Sequence, residues 1–309
     1  MRNRFSRFLR TSALCTALAL FFGLLAGCGP ADAPASGSAG SAAGEAPVLS
    51  VTCTLFPLYD LVQQVGGSRV QASLLVSAGQ EAHGYAPTAA DMQAASDADL
   101  LFYVGGHADE WVDGILDNVS VSTATLLGLL EDPDALPDDH VWTSPRQCLL
   151  LIDGIAGMLT DLDPDGAAVY AANADECRAA FAALDEGYAA LGQAADRHIL
   201  LADRQPFGCL TADYGLQFAA AFDGCSTDTE VSAARMAQLA DLAAAESTPV
   251  IFSLELAGTG LRDALAETAG ARTGMLYSGQ SRSAADEEAG LTLADMLAHN
   301  LTEMEAALA

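Results

Sequence analysis

From about residue 48 to its end, the chain alternates short apolar runs with longer amphipathic stretches. Apolar runs of this length are typical of buried strands, and the amphipathic stretches between them are typical of helices. Strand–helix alternation favours largely parallel sheets covered on both faces, which defines an α/β fold. The predicted strands cover residues 48–55, 70–76, 99–104, 199–202, 216–222, 249–254 and 272–276.

Two of the intervening helices have recognisable starts. Pro57 suits the first turn of a helix over residues 57–65, where its missing N–H costs no hydrogen bond. Thr88, followed three residues later by Asp91, is typical of a capped start for a helix over residues 88–95. Both helices would follow a predicted strand, as in a βα unit.

A longer periodic stretch at residues 167–195 interrupts this rhythm. It contains no proline and is rich in alanine, and its apolar stripe predicts a single helix of roughly 43 Å at about 1.5 Å per residue. The stripe consists of Tyr170, Ala174, Cys177, Phe181, Leu184, Tyr188 and Leu191. We therefore predict two α/β lobes, residues 48–165 and 197–309, joined by a rigid linking helix at residues 166–196. Ligands of such sheets bind beyond the carboxyl ends of the strands, so the expected site is the cleft between the lobes.

The N-terminus predicts export. Arginine-rich residues 2–10 precede an apolar run, residues 13–26, that is too short to span a hydrocarbon core of about 30 Å. Residues 1–27 are therefore predicted to be a signal peptide. The sequence Leu-Leu-Ala-Gly-Cys that ends at Cys28 resembles the bacterial lipoprotein cleavage box, which implies a lipidated Cys28 held on the membrane by two chains. An ordinary signal peptide with an incidental cysteine is the alternative. Residues 28–47, rich in Gly, Ser, Ala and Pro, are expected to form a flexible tether.

Charge excludes one class of partner. The chain has 41 Asp and Glu against 13 basic residues, all of them Arg, and a formal net charge of −28. Such a surface repels nucleic-acid phosphates, so nucleic acid is not expected to bind. It raises the local concentration of cations instead, although acidity also serves solubility.

The cysteines leave two possibilities open. An odd number of them follows Cys28, so an exported chain would keep at least one thiol unpaired. Cys209 and Cys225 are candidates either for a disulfide within the C-terminal lobe or for buried thiols. No CxxC motif occurs, so the cysteines do not by themselves indicate a thiolate zinc site.

Five histidines are present, and two of them lie where a ligand is expected. His83 follows a predicted strand and precedes the capped helix, and His140 follows an acidic loop. Both are candidate metal ligands, although a loop histidine is also commonly a plain surface residue. His107, His198 and His299 are expected at surface or packing positions.

Several short motifs occur in a characteristic order along the chain. They are Thr54-Leu55-Phe56-Pro57-Leu58-Tyr59-Asp60, Glu81-Ala82-His83, Trp111-Val112-Asp113, His140-Val141-Trp142, Asp163-Pro164, Asp203-Arg204-Gln205-Pro206-Phe207, Ala221-Phe222-Asp223-Gly224-Cys225-Ser226, Glu230 and Asp295. Together they resemble the zinc and manganese receptors of ATP-binding-cassette importers, the metal-binding family of bacterial solute-binding proteins. The resemblance implies a monomer, lipid-anchored outside the cytoplasmic membrane, that captures a divalent transition metal and delivers it to a membrane permease.

The resemblance also implies a ligand set. His83 and His140 match the first two ligands, and Glu255, at the end of the strand over residues 249–254, matches the carboxylate ligand. Two imidazoles, a carboxylate and a water form a sound zinc site with bonds of about 2.0–2.2 Å. Zinc is favoured over manganese because imidazole suits zinc, which also binds such sites more tightly.

The sequence departs from the family where most relatives carry a third histidine. Arg204 stands there, and an arginine offers only donors, so it is expected beside the ligands, paired with Glu230 or Glu255; the alternative is that it simply faces solvent. Tyr277 to Gln280 occupy the segment where one branch of the family has a substitute histidine, so the fourth ligand stays open. The alternatives are manganese instead of zinc, or the same fold with an altered or lost site, acting as an adhesin or as a receptor for another solute. No His-Glu-x-x-His motif, nucleophile elbow or phosphate loop occurs, so we do not expect an enzyme.

Overall fold

The computed structural model describes residues 49–222, 224–225 and 230–309. The N-terminal lobe has strands β1 (Leu49–Cys53), β2 (Val70–Leu74), β3 (Leu100–Tyr103) and β4 (Thr123–Thr125). They form a parallel sheet of order β2-β1-β3-β4. Its helices are α1 (Phe56–Gly66), α2 (Ala89–Asp97), α3 (Asp113–Leu116) and α4 (Pro145–Leu162).

The C-terminal lobe repeats this plan. Its strands are β5 (Ile199–Leu201), β6 (Phe218–Ala220), β7 (Val250–Leu254) and β8 (Arg272–Leu276). They form a second parallel sheet, of order β6-β5-β7-β8. Its helices are α6 (Gly208–Tyr214), α7 (Ala233–Glu246), α8 (Gly260–Ala269), α9 (Ala284–Glu288) and α10 (Leu293–Leu308).

The long helix α5 (Ala167–Ala194) has the buried face that its periodicity predicts, formed by all seven residues of the apolar stripe. Near its start, Asn173 Nδ2 donates to Val65 O of α1 at 3.0 Å. Near its end, Tyr188 Oη donates to Leu297 O of α10 at 2.8 Å. The helix therefore contacts both lobes.

The lobes also contact each other directly. Asp60 of α1 accepts a hydrogen bond from Leu293 N at the start of α10, at 2.9 Å. Ser144 directly precedes α4, and its Oγ donates to Asp213 of α6 at 2.5 Å. One hydrophobic core cluster includes buried residues of both lobes and of α5. The two sheets thus share a packed interior.

The two-lobed α/β prediction is confirmed, and each of the seven predicted strands contains an observed one. Thr88 and Asp91 form the expected capping box at the start of α2. The prediction lacks β4, a three-residue edge strand without an apolar run. The predicted signal peptide (1–27), Cys28 and the tether (28–47) lie outside the described residues. Among the helices that the structure describes, none is long and apolar enough to cross a membrane.

Candidate metal centre

His83 lies in the loop between β2 and α2, and its position is set by a neighbouring carboxylate. Glu81 Oε1 accepts from His83 N at 3.3 Å and lies 3.4 Å from His83 Nδ1. The His83 side chain is 14% exposed, so most of the imidazole is shielded from water. A carboxylate beside one ring nitrogen leaves the other to face a metal, the arrangement common among metal-binding histidines.

His140 is held in the same manner. It directly precedes the 3₁₀ turn Val141–Thr143 that leads into α4, and it is buried. Its Nδ1 lies 3.1 Å from Asp139 Oδ1, and its backbone N–H donates to Asp138 Oδ1 at 2.9 Å. Asp139 is itself fixed, because its Oδ2 accepts from Ala108 N at 2.7 Å. Nε2 of His140 is therefore the nitrogen that faces away from the carboxylates.

The two imidazoles meet a thiol from the other lobe. The rings of His83 and His140 stack with centroids 5.6 Å apart. One ring nitrogen of each, together with the thiol sulfur of Cys225, forms a group of three atoms that all lie within 4.8 Å of one another. Ligands around one zinc ion lie roughly 3.3–3.6 Å apart, given bonds of about 2.0–2.3 Å. The three side chains need only small inward shifts to bind a single ion.

The electrostatics of this cluster favour a thiolate. Burial opposes ionisation of the Cys225 thiol, but hydrogen bonds and charge interactions with His140 and His83 lower its pKa to about 6. Burial also disfavours the charged form of His83, yet Cys225 and Glu81 raise its pKa to about 9. Burial opposes the charged form of His140 as well, but Asp138, Asp139 and Cys225 hold its pKa well above the usual range. Near neutral pH the cluster therefore holds a thiolate beside protonated imidazoles, and a metal must displace those protons.

The site fits a transition metal on its own geometry. Both Nδ1 atoms are buried, and within the described part of the chain neither has a hydrogen-bond partner of regular geometry. Each instead lies beside a carboxylate that stabilises positive charge on the ring. Imidazole and thiolate are the donors that zinc prefers, whereas manganese prefers oxygen.

Arg204 pairs with neither of the carboxylates predicted for it. Its Nη2 donates to Glu81 Oε2 at 2.8 Å, and its Nε lies 3.7 Å from Asp203 Oδ1. Burial of Glu81 would raise its pKa, but His83 and Arg204 lower it to about 2, so this carboxylate stays charged. Glu230, the other predicted partner, is exposed. Glu81 therefore bridges an imidazole of one lobe to a guanidinium of the other.

The structure does not bring Glu255, the third predicted ligand, into the cluster of His83, His140 and Cys225. Its Oε2 accepts from Ser278 N at 2.6 Å, and its Oε1 accepts from Ser278 Oγ at 2.6 Å and Gly279 N at 3.1 Å. Burial raises its pKa to about 7 despite these bonds. Glu255 thus anchors the loop after β8.

The other histidines lie elsewhere, as expected. The His107 side chain is 95% exposed. His198 Nδ1 contacts Glu246 at 2.7 Å, and His299 Nε2 contacts Met275 O at 3.1 Å. Each of the five described cysteines is free, so the disulfide alternative for Cys209 and Cys225 is not realised.

A cavity of about 1390 Å³ connects with the cluster. Its lining includes all three cluster side chains and the carboxylates of Glu110, Asp113, Asp138 and Asp139. Arg235 also lines the cavity, but the four carboxylates outnumber it, so cations should be enriched at this entrance.

Comparison with known families bears directly on this geometry. A sequence model described as zinc-uptake complex component A, periplasmic, matches residues 51–307. The chain belongs to this zinc-uptake family.

Within the zinc-uptake family, the chain is 27% identical to the high-affinity zinc uptake system protein ZnuA of Bacillus subtilis, over 94% of this chain and 96% of ZnuA. It is 28% identical to the zinc-binding lipoprotein AdcA of Streptococcus pneumoniae over 83% of this chain, and it spans about half of AdcA, 55%. The solved Zn(II)-bound ZnuA-like domain of AdcA superposes with a TM-score of 0.71 at 30% identity, over 84% of this chain and 98% of that domain. The manganese-binding lipoprotein MntA of Halalkalibacterium halodurans is 32% identical, over 49% of this chain and 50% of MntA.

Cys225 was not predicted as a metal ligand from the sequence, which left it as a candidate for a disulfide or a buried thiol. Two signals pointed to it: the odd number of cysteines, and its place in one of the motifs that carry the zinc-uptake family resemblance. Neither signal indicates which thiol meets the histidines, because Cys225 and His140 are 85 positions apart in the sequence and belong to different lobes.

Proposed function

We propose that this protein is an extracytoplasmic receptor that binds one divalent transition metal, with zinc favoured, for delivery to the permease of an ATP-binding-cassette importer. The observation that carries the proposal is the cluster of His83, His140 and Cys225, whose donor atoms lie within 4.8 Å of one another between the lobes. In this proposal the three residues are metal ligands, and Glu81 and Asp139 orient the two imidazoles.

Zinc is the preferred substrate because of the donor set. A thiolate and two imidazoles suit zinc, whereas the harder manganese ion favours carboxylate and carbonyl oxygens. Manganese is the second candidate, on account of the likeness to MntA. An adhesin or a receptor for another solute would not require three metal donors on converging side chains, so the cluster argues against a lost site.

Delivery at the membrane is supported by relatives and by the N-terminal sequence. The family is named as a component of an uptake complex, and AdcA is named as a lipoprotein. Cys28 follows the Leu-Leu-Ala-Gly segment expected before a lipidated cysteine. We propose that Cys28 carries the lipid anchor and that the receptor works as a monomer on the outer face of the cytoplasmic membrane.

Metal titration tests the proposal. The full chain, purified in detergent and stripped with a chelator, is titrated with zinc in competition with a chromophoric chelator. Tight one-to-one binding is expected, with losses of more than about 100-fold in His83→Ala and in Cys225→Ala, because even the outer partners of ligands contribute about 10–100-fold.

His107→Ala is the matched control, since His107 lines the same cavity but lies outside the cluster. It should bind zinc like the wild type. Absence of zinc binding by the wild type would contradict the function, and wild-type affinity in both cluster variants would contradict the ligand assignment.

A further inference from the structure

The segment between β5 and the first turn of α6, residues 203–208, lies against the supports of the candidate metal centre. We call it the bridging loop. Among the described residues, the cluster of His83, His140 and Cys225 includes no side chain from this loop. The loop nevertheless forms a hydrogen bond to a group beside each member of the cluster.

Arg204 of the bridging loop reaches His83 through Glu81. Arg204 Nη2 donates to Glu81 Oε2 at 2.8 Å, whereas Glu81 Oε1 accepts from His83 N at 3.3 Å and lies 3.4 Å from His83 Nδ1. The two carboxylate oxygens therefore hold opposite lobes. The Glu81 side chain is 43% exposed, so without Arg204 it could turn away from the imidazole into water.

Gly208 reaches His140 in a similar way, through Asp138. Gly208 N donates to Asp138 Oδ2 at 2.9 Å, and Asp138 Oδ1 accepts from His140 N at 2.9 Å. A Cβ at position 208 would collide with Asp138 Oδ2. Glycine is therefore needed at this position for room, and any side chain here would push the carboxylate towards His140.

The bridging loop also holds the backbone beside Cys225, and it is itself fixed to its own sheet. Gln205 N donates to Gly224 O, directly before Cys225, at 3.0 Å. Asp203 Oδ2 accepts from Leu254 N of β7 at 3.1 Å. The loop thus extends the C-terminal sheet to the supports of all three cluster residues.

We propose that the bridging loop is a positioning element that keeps the three donors of the cluster together, and that Arg204 sets the residence time of the metal through Glu81. This role rests on the proposed function. An ion stays bound only while its donors remain within reach, so release requires at least one of them to swing away. Partners that orient metal-binding side chains oppose that movement. Capture depends mainly on diffusion and on the charge of the cleft, so the loop should affect release more than capture.

A purely electrostatic role of Arg204 predicts the opposite sign. The guanidinium is a positive charge that neutralises Glu81 beside the cluster. If charge were its only contribution, its removal would leave the cluster more negative and bind a cation more tightly. If Arg204 positions His83, its removal speeds release and weakens binding. The sign of the change therefore separates the two roles.

The rate of zinc release tests the proposal. Zinc-loaded full-length proteins in detergent are mixed with a chromophoric chelator, at concentrations where the rate no longer depends on the chelator. We expect Arg204→Met to release zinc about 10–100-fold faster than the wild type, with little change in the association rate obtained from the affinity. Arg272→Met is the matched control, because it removes an ion pair of 3.0 Å with Glu303, whose residues lie outside the cluster. It should release zinc like the wild type.

Two further comparisons test the contacts that carry the proposal. In a Glu81→Ala background, Arg204→Met should change the release rate by less than about twofold, because the contact that it breaks is already absent. Gly208→Ala should speed release by displacing Asp138. Gly258→Ala should not, because a Cβ at position 258 has open space.

The outcomes separate this inference from the proposed function. No zinc binding by the wild type overturns both. Zinc binding by the wild type together with equal or slower release from Arg204→Met overturns the positioning role alone. A full effect of Arg204→Met in the Glu81→Ala background also overturns it, because the proposal requires Arg204 to act through Glu81.

Discussion

The affinity for zinc should depend steeply on pH, because protons and metal compete for the same cluster. His83 has a pKa of about 9, so at pH 7 it is protonated and must lose that proton when zinc binds. The proton displacement then lowers the apparent affinity by about 100-fold at pH 7, equivalent to about 2.7 kcal/mol at about 1.36 kcal/mol per unit. The pKa of His140 is also raised, so its proton adds to this dependence.

The sign and the pH window follow from these values. Zinc affinity should rise by at least about tenfold per pH unit between pH 7 and 9, where His83 loses its proton. Above pH 9 the contribution of His83 should level off. Below about pH 6 the Cys225 thiol also binds a proton, so the affinity should fall still more steeply as the pH decreases.

Chelator competition across this pH range measures the affinity, and calorimetry in buffers of different ionisation enthalpy counts the protons released. At least one proton per zinc is expected at pH 7. In Cys225→Ala, the loss of the thiolate should lower the pKa of His83 and flatten the pH dependence. An affinity that stays constant from pH 7 to 9, with no proton released, would refute the proposed thiolate and imidazolium cluster.

Three further predictions concern the ligand chemistry, the linking helix and the anchor. Copper(II) added to the chelator-stripped protein should produce a visible thiolate-to-copper charge-transfer band that is absent in Cys225→Ser, and a band that persists in the variant would count against Cys225 as a ligand. Phe181→Ala should lower the free energy of unfolding by about 3–5 kcal/mol in urea, because Phe181 is fully buried in α5. Val169→Ala on the same helix, at a position 40% exposed, should change it by less than about 0.5 kcal/mol, and equal effects would contradict the assigned face. Cys28→Ser should move the protein from the membrane fraction to the soluble fraction, and continued membrane retention would argue against lipidation.

The elements that could be predicted from the sequence are those with local signals. The α5 stripe repeats every three or four residues, so its buried face follows from periodicity alone. The capping box at Thr88 and Asp91 depends on residues three positions apart. β4 lacks such a signal, because three polar or small residues at a sheet edge have no apolar run.

Only part of the candidate site could be predicted from local patterns, because most of its contacts join segments that are far apart in the sequence. His83 and His140 flank predictable elements, so their convergence could be anticipated. The partner of Arg204 could not, since Glu81 lies in the opposite lobe, 123 positions away in the sequence. Glu255 lies at the end of a strand, as predicted. Its hydrogen bonds to the loop after β8 form because β7 and β8 pair side by side, and no local sequence pattern indicates that pairing.

Arg204 and Glu81 show how the site tolerates the absence of a histidine at position 204. A guanidinium has no lone pair to offer a metal, so Arg204 cannot act as a ligand in place of a histidine. It neutralises Glu81, whose other oxygen lies beside His83. In the proposed site, the Cys225 sulfur takes the place of that histidine nitrogen, and Cys225 follows β6 of the same lobe, whereas Arg204 follows β5.

X-ray absorption at the zinc edge of the zinc-loaded protein tests the central claim most directly. The account predicts one sulfur scatterer at about 2.3 Å with nitrogen and oxygen scatterers at about 2.0–2.2 Å, and loss of the sulfur signal in Cys225→Ser. A first shell that contains nitrogen and oxygen alone in the wild type would contradict it.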